Sequence, residues 1–205
     1  MINESKVIGI FPTPIYITKL NKKITSKELF FINKNKLNVY KNEGNNTSID
    51  NYVLNNKIFK NIKKELNFII NDYFNNIICC LDKVKPYITQ SWINYTEFNQ
   101  YHHKHCHFNS LVSGVLYIKS DEEFDRIKFF KNEYNTFEFN IKEFNLYNSS
   151  EISIPVKTGD VILFPSRLKH MVEIKQGTNT RISLAFNVFI KGTLGENKNL
   201  NKIVL

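Results

Sequence analysis

Tyr87-Ile88-Thr89-Gln90-Ser91-Trp92-Ile93-Asn94-Tyr95 mixes β-branched and aromatic residues with polar ones over a short run. That is the composition of a strand with its faces in different surroundings. Runs of the same kind return at Leu111 to Ile118, Ile127 to Phe130, Ile152 to Val156, Val161 to Phe164 and Arg181 to Ile190, with Gly159-Asp160 and Gln176-Gly177 as turns. Many short strands separated by turns predict a β sandwich or barrel of the jelly-roll kind.

The pattern differs before Lys85-Pro86. Val7 to Ile17 looks strand-like, and Thr25-Ser26-Lys27-Glu28 has the spacing of a capping box at a helix start. The Asn-rich stretch Lys41 to Asn51 reads as a loop. From Asn56 to Leu81 the residues Ile58, Ile62, Leu66, Ile69, Tyr73 and Ile77 recur at helical spacing, which predicts a helix with one face on a sheet. The fold class is therefore mainly β (α+β), one domain over 1–205, with helical support mainly over 22–84 and a β core mainly over 86–190.

Composition agrees. Of 205 residues 42% are hydrophobic, with 17 Phe and 10 Tyr, enough for a sizeable core, and the 7 Gly and 5 Pro argue against low complexity. No run has the length to cross a bilayer, and Met1-Ile2-Asn3-Glu4-Ser5-Lys6 lacks a signal-peptide layout, so a cytoplasmic location is expected. Cys79, Cys80 and Cys106 suit a reducing compartment, with Cys106 expected as a buried thiol. The net charge of +9 fits an acidic partner such as nucleic acid. Lysines spread from end to end without a compact patch give that reading little support, and oligomeric state is left open.

All five histidines fall in two places, four within Tyr101-His102-His103-Lys104-His105-Cys106-His107-Phe108 and one at His170 after Val161-Ile162-Leu163-Phe164-Pro165. Neutral imidazole is the commonest metal ligand. In an extended segment His103, His105 and His107 share a face and His102 takes the other. Spacing alone leaves the pairs 103/105 and 105/107 both open. Three ligands from two neighbouring strands would leave one side of a metal free. Arg181 and Ser183 project to one face of a strand, where a guanidinium fork and a hydroxyl could grip a carboxylate. A dicarboxylate could chelate the metal at one end and be held by Arg181 at the other.

Four blocks, Ser91-Trp92-Ile93-Asn94, His105-x-His107-x-x-Ser110-x-x-Ser113-Gly114-Val115-x-Tyr117, Gly159-Asp160-x-x-x-Phe164-Pro165-x-x-x-x-His170-x-Val172 and Arg181-x-Ser183-x-x-x-Asn187, with the opening Phe11-Pro12-Thr13-Pro14-Ile15-Tyr16, resemble a family of small 2-oxoglutarate- and Fe(II)-dependent oxygenases frequent in marine bacteria and their phages. The resemblance implies a double-stranded β-helix, Fe(II) held by His105, His107 and His170, and 2-oxoglutarate held at its distal carboxylate by Arg181 and Ser183. Asn94, Tyr117 and Asn187 would line the pocket. It further implies an O2-consuming dioxygenase that releases succinate and CO2 and hydroxylates a substrate the sequence does not identify.

His107 stands where the wider superfamily commonly has a carboxylate. Because imidazoles must be deprotonated to bind, iron affinity is expected to fall steeply in mild acid. Asp121, Glu122 and Asp125 lie beyond the strand in an expected turn, and Asp160 reads as a turn residue. Trp92 reads as core, His102 and His103 as groups outside the ligand set, and Phe129, Phe130, Tyr134, Phe137 and Phe139 as cleft or hairpin packing. The segments Lys41 to Asn51, Phe98 to Lys104 and Asn132 to Ser150 are expected at the mouth. Two other functions fit a jelly roll with this histidine set: a three-His cupin-like metal enzyme without 2-oxoglutarate, and a non-catalytic binding module.

Overall fold

The computed structural model describes residues 4–131 and 139–205. Its strands are β1 (Tyr16–Lys19), β2 (Val39–Lys41), β3 (Asn46–Ser48), β4 (Val84–Thr96), β5 (His102–His105), β6 (Val112–Lys119), β7 (Arg126–Phe130), β8 (Glu151–Pro155), β9 (Asp160–Pro165), β10 (His170–Val172), β11 (Arg181–Leu194) and β12 (Ile203–Val204). The helices are α1 (Ser26–Asn35) and α2 (Lys60–Tyr73). The large sheet has the order β1-β9-β6-β11-β4-β3-β2, with β12 beside β11, and the small sheet has the order β5-β10-β7-β8. The strand pairs are antiparallel, as a jelly roll requires.

Period two divides the large sheet between two cores. Ile93, Tyr95, Leu116, Ile118, Val161, Leu163, Ile182 and Leu184 face the helices, meeting Ile32 of α1 and Ile62, Leu66, Ile69 and Ile70 of α2. Tyr117, Ile162 and Phe164 face the small sheet and pack with Ile127 and Phe129. A sheet covered on both sides needs apolar residues at successive positions, which is why Val161-Ile162-Leu163-Phe164 does not alternate. Each fully buried aliphatic side chain of α2 contributes roughly 1.5–3 kcal/mol.

Thr25 caps α1 through the predicted capping box, accepting from the Glu28 backbone N–H while Glu28 accepts from the Thr25 N–H. Lys22 reaches back to Glu28 at 2.8 Å, and these hydrogen bonds hold the Glu28 carboxyl below its usual range against its burial. The predicted Asn56–Leu81 helix is shorter: a 3-10 turn (Lys57–Phe59) precedes α2 and a π turn (Phe74–Ile78) ends it, closed by Cys79 at φ 52°. No described helix is long and apolar enough to cross a membrane.

Two expected segments differ. Of Val7 to Ile17 only the end enters a strand, and Val7, Ile8, Ile10 and Phe11 are exposed. Pro12 and Pro14 have no N–H to offer a ladder. Lys41 to Asn51 is not all loop, because β2 and β3 form a hairpin whose second strand pairs with β4. Its Asn, Thr and Ser side chains suit a sheet margin and hide it from a hydrophobicity pattern. Gly44, at φ 86°, makes the turn, and a Cβ there would lie 2.7 Å from the Tyr101 carbonyl oxygen.

Gly114 on β6 lies under Phe186, whose ring would come within 2.2 Å of an added Cβ. Gly114→Ala must displace that ring and is expected to cost about 1–3 kcal/mol by overpacking, measured as a lower denaturant midpoint at unchanged slope. An unchanged midpoint would show that Phe186 moves freely.

Candidate active site

β5 and β10 are neighbours in the small sheet, with His105 opposite His170. His107 lies two residues beyond β5, where its backbone N–H donates to the Ser166 carbonyl at 2.8 Å and ties it to the end of β9. The rings of His105 and His170 are 4.3 Å apart between centroids, those of His105 and His107 5.0 Å, and those of His107 and His170 5.2 Å. One nitrogen from each lies within 4.8 Å of the others.

His105 Nδ1 is 2.8 Å from the His103 carbonyl oxygen and His170 Nδ1 is 3.0 Å from that of Leu168. Each Nδ1–H therefore donates to a carbonyl and leaves Nε2 with a free lone pair, the arrangement usual for ligating histidine. Burial, with the neighbouring His105 adding to it, pushes His107 down to about 4 and His170 to about 3. The donor set is thus neutral, convergent and borderline in softness, and it fits a first-row divalent metal such as Fe(II). Among the described residues, the groups able to hold a metal consist of histidine alone. Asp125 is spoken for: it is buried in an ion pair with buried Lys175 at 3.0 Å and accepts from the Asp121 N–H in the predicted turn. Asp160 likewise accepts from the Lys157 N–H.

In the folded chain burial keeps protons off His107 until about 4 and off His170 until about 3. The cost passes to folding. Below the ordinary histidine value of 6.5 the unfolded chain takes up protons at His107 and His170 that the folded chain refuses, so stability falls as pH falls toward 4. The slope is up to about 1.4 kcal/mol per pH unit for each histidine. The metal-free protein should show a lower urea midpoint at pH 5 than at pH 7. An equal drop in a His107→Gln/His170→Gln protein would assign it to other groups.

Beyond the histidines the site continues as a row across three strands. Ser183 on β11 is opposite Asn94 on β4 and Tyr117 on β6, and Arg181 is opposite Thr96. Arg181 is 2% exposed, and its side chain makes a long hydrogen bond from Nη2–H to Thr96 Oγ1 at 3.4 Å. Among the described residues its Nε and Nη1 have no partner, and neither does the buried Asn94 Oδ1. Burial works against the guanidinium charge, while Tyr117 and Asp125 favour it. A buried guanidinium with two nitrogens left without partners is costly, and an anion in the cleft would relieve that cost.

One cleft holds both halves. His105, His107, His170, Arg181, Ser183, Asn94 and Tyr117 line it, with Trp92, Val115, Ile127 and Phe164 as apolar wall. Asn187 is not among its lining residues. Its Oδ1 accepts from the Ser113 hydroxyl at 2.9 Å, in a buried chain that continues through Ser166 to Ser110. Asn187 therefore ties β11 to β6 and the segment before His107.

Two further lining residues run against the sequence expectation. Trp92 is half-buried with its ring 5.6 Å from His107, at the cleft and not in the core. His102 turns inward because the β5–β10 register slips between His170/His105 and Val172/His102, so strict alternation fails. Its ring stacks on His105 at 4.5 Å. Among the aromatic residues downstream, Phe129 is core, Phe130 lies under Lys104 at 3.6 Å and Phe139 is exposed. Tyr134 and Phe137 lie outside the described residues. Cys106 is half-buried, not buried.

Comparisons with known proteins agree with this arrangement. Residues 90–187 match the model of the family described as "Putative 2OG-Fe(II) oxygenase". No curated protein matches the chain at a significant level. Among solved structures the chain is similar to a Pseudomonas putida prolyl-4-hydroxylase, with 11% identity, 85% of this chain and 92% of that chain covered, and a TM-score of 0.58. It is also similar to HygX from Streptomyces hygroscopicus with nickel, 2-oxoglutarate and hygromycin B bound, with 14% identity, coverage of 86% and 82%, and a TM-score of 0.56. SnoK, the non-heme alpha-ketoglutarate-dependent carbocyclase of nogalamycin biosynthesis, gives 11% identity, coverage of 88% and 81%, and a TM-score of 0.57. At such identities the likeness to solved structures is one of fold: the chain has the jelly roll of the 2-oxoglutarate oxygenases, and residues 90–187, which hold the candidate ligands and the Arg181-Ser183 row, are similar in sequence to that oxygenase family.

Proposed function

We propose that the protein is a 2-oxoglutarate- and Fe(II)-dependent oxygenase. The observation that carries the reading is the buried Arg181 guanidinium, whose Nε and Nη1 find no partner among the described residues, in the same cleft as three neutral, convergent imidazoles. The match at residues 90–187 and the likeness to folds solved with metal and 2-oxoglutarate support it.

His105, His107 and His170 would hold the metal, with His107 in the place of the more usual carboxylate. Arg181 and Ser183 would hold the distal carboxylate of 2-oxoglutarate, with Asn94 and Tyr117 beside it. Fe(II) bound there, with 2-oxoglutarate as co-substrate, supplies oxygen activation, one atom of O2 ending in succinate as CO2 leaves and the other passing to the substrate, RH giving ROH. The chain's own residues fix the geometry. The backbone carbonyls of His103 and Leu168 set the ring orientation of two ligands, and a charge-assisted fork from Arg181 sets the direction of the co-substrate. Trp92, Val115, Ile127 and Phe164 keep the cleft apolar and limit water.

A three-His cupin-like enzyme would need the imidazoles but has no use for the open Arg181 fork, and a binding module would need neither. Hydroxylation is the proposed outcome for a substrate that this cleft does not name. Protein reconstituted with Fe(II) should release succinate from 2-oxoglutarate once O2 is admitted, above the rate with free Fe(II). Succinate formation indifferent to the protein would sink the reading.

A further inference from the structure

His105 is the corner of two histidine triangles. Besides the His105/His107/His170 group, His102, His103 and His105 each present a ligand atom within 4.8 Å of the others. Their ring centroids stand 5.2, 4.5 and 5.0 Å apart, close to the spacings in the first triangle. The slip in the β5–β10 register makes this possible, because it swings His102 to the side of His105.

The surroundings of the second triangle fit a cation. His103 Nδ1 is buried without a hydrogen-bond partner, and the Glu43 carboxylate, from the β2–β3 turn, stands 3.9 Å from it. Asn42 Nδ2 meets His102 Nε2 at 3.3 Å, a long contact that a metal would displace or bypass through Nδ1.

We propose that His102, His103 and His105, with Glu43 at the edge, form a second site for a borderline divalent cation such as Zn2+, which competes with the first triangle for the His105 ring. Zn2+ accepts three imidazoles with a carboxylate in the fourth position. His105 Nδ1 is occupied by the His103 carbonyl, so a single free nitrogen serves both triangles and full occupancy of one excludes full occupancy of the other. The inference stands on the ring geometry, whatever the first triangle binds. Its consequence is a cleft in which zinc parked on the mouth side takes a ligand from the inner metal.

The test removes the first triangle. A His107→Gln/His170→Gln protein is expected to bind one Zn2+ by equilibrium dialysis, and adding His103→Gln should weaken that binding about 10–100-fold, the range for losing a supporting group and a lower bound for losing a ligand. Absence of zinc binding in the double variant, or indifference to His103→Gln, would overturn the proposal. Should the double variant fold poorly, the imidazole NMR signals of the unmodified protein decide. Zn2+ titration is expected to move those of His102 and His103, and movement confined to His105, His107 and His170 would overturn it.

Discussion

A His170→Ala protein is expected to lose iron and 2-oxoglutarate together. His170 opens β10, pairs with His105 across the strand gap, and has its Nδ1 turned to the Leu168 carbonyl. It is 6% exposed among Phe129, Phe164 and the other two rings. Alanine removes one of the three proposed ligands from a site with no acidic substitute, since the described metal-capable groups are histidine alone. Loss of an outer-shell partner costs 10–100-fold in metal affinity, and loss of a ligand should exceed about 100-fold. Because the co-substrate would bind chiefly as a chelate of the metal, its affinity should collapse with it. Metal analysis after anaerobic reconstitution measures the first and isothermal titration with 2-oxoglutarate the second, with circular dichroism to verify the fold. Metal content equal to that of the unmodified protein would remove His170 from the ligand set.

Arg181→Ala should separate what His170→Ala joins. Among the described residues the guanidinium hydrogen-bonds to Thr96 and to none of the three imidazoles proposed as ligands. Iron should stay in place, while 2-oxoglutarate loses the charge-assisted fork at its distal carboxylate. Truncating one member of a buried charge pair costs about 2–5 kcal/mol, so affinity should fall by roughly 30-fold or more. The folded state need not suffer, because an unpartnered buried guanidinium is a burden without its ligand. Isothermal titration of the metal-loaded variant with 2-oxoglutarate gives the answer. Unchanged affinity with iron bound would leave the cupin-like reading, in which Arg181 has no co-substrate to hold.

The β core was legible because it obeys short-range rules. The runs at Leu111 to Ile118, Ile127 to Phe130, Ile152 to Val156, Val161 to Phe164 and Arg181 to Ile190 each fall on an observed strand to within a few residues. The capping box at Thr25 and the stripe from Ile58 to Tyr73 were equally local signals. The row of Arg181 and Ser183 follows from side-chain direction in extended chain, whereas spacing left the pairs 103/105 and 105/107 open and only the family resemblance pointed to His105 and His107.

What the sequence hid depends on register and on partners far along the chain. His102 enters the cleft through a slip against β10, which no pattern within β5 announces. The β2–β3 hairpin is polar because it sits at the margin of a sheet, and polar Asn-rich sequence reads as loop. Trp92 is inner-facing on a sheet with two cores, so alternation alone could not say whether it met packing or cleft. Asn187 shares a strand face with Arg181 and Ser183, yet the Ser113 hydroxyl claims it. The unpartnered state of Arg181 Nε and Nη1 is visible only once the whole wall is assembled.

Anaerobic titration of the Fe(II)-loaded protein with 2-oxoglutarate asks whether three imidazoles and one guanidinium form a single site for metal and 2-oxoglutarate. A weak visible charge-transfer band that grows and saturates with 2-oxoglutarate is the predicted result. Iron bound with no band at saturating 2-oxoglutarate would contradict the account.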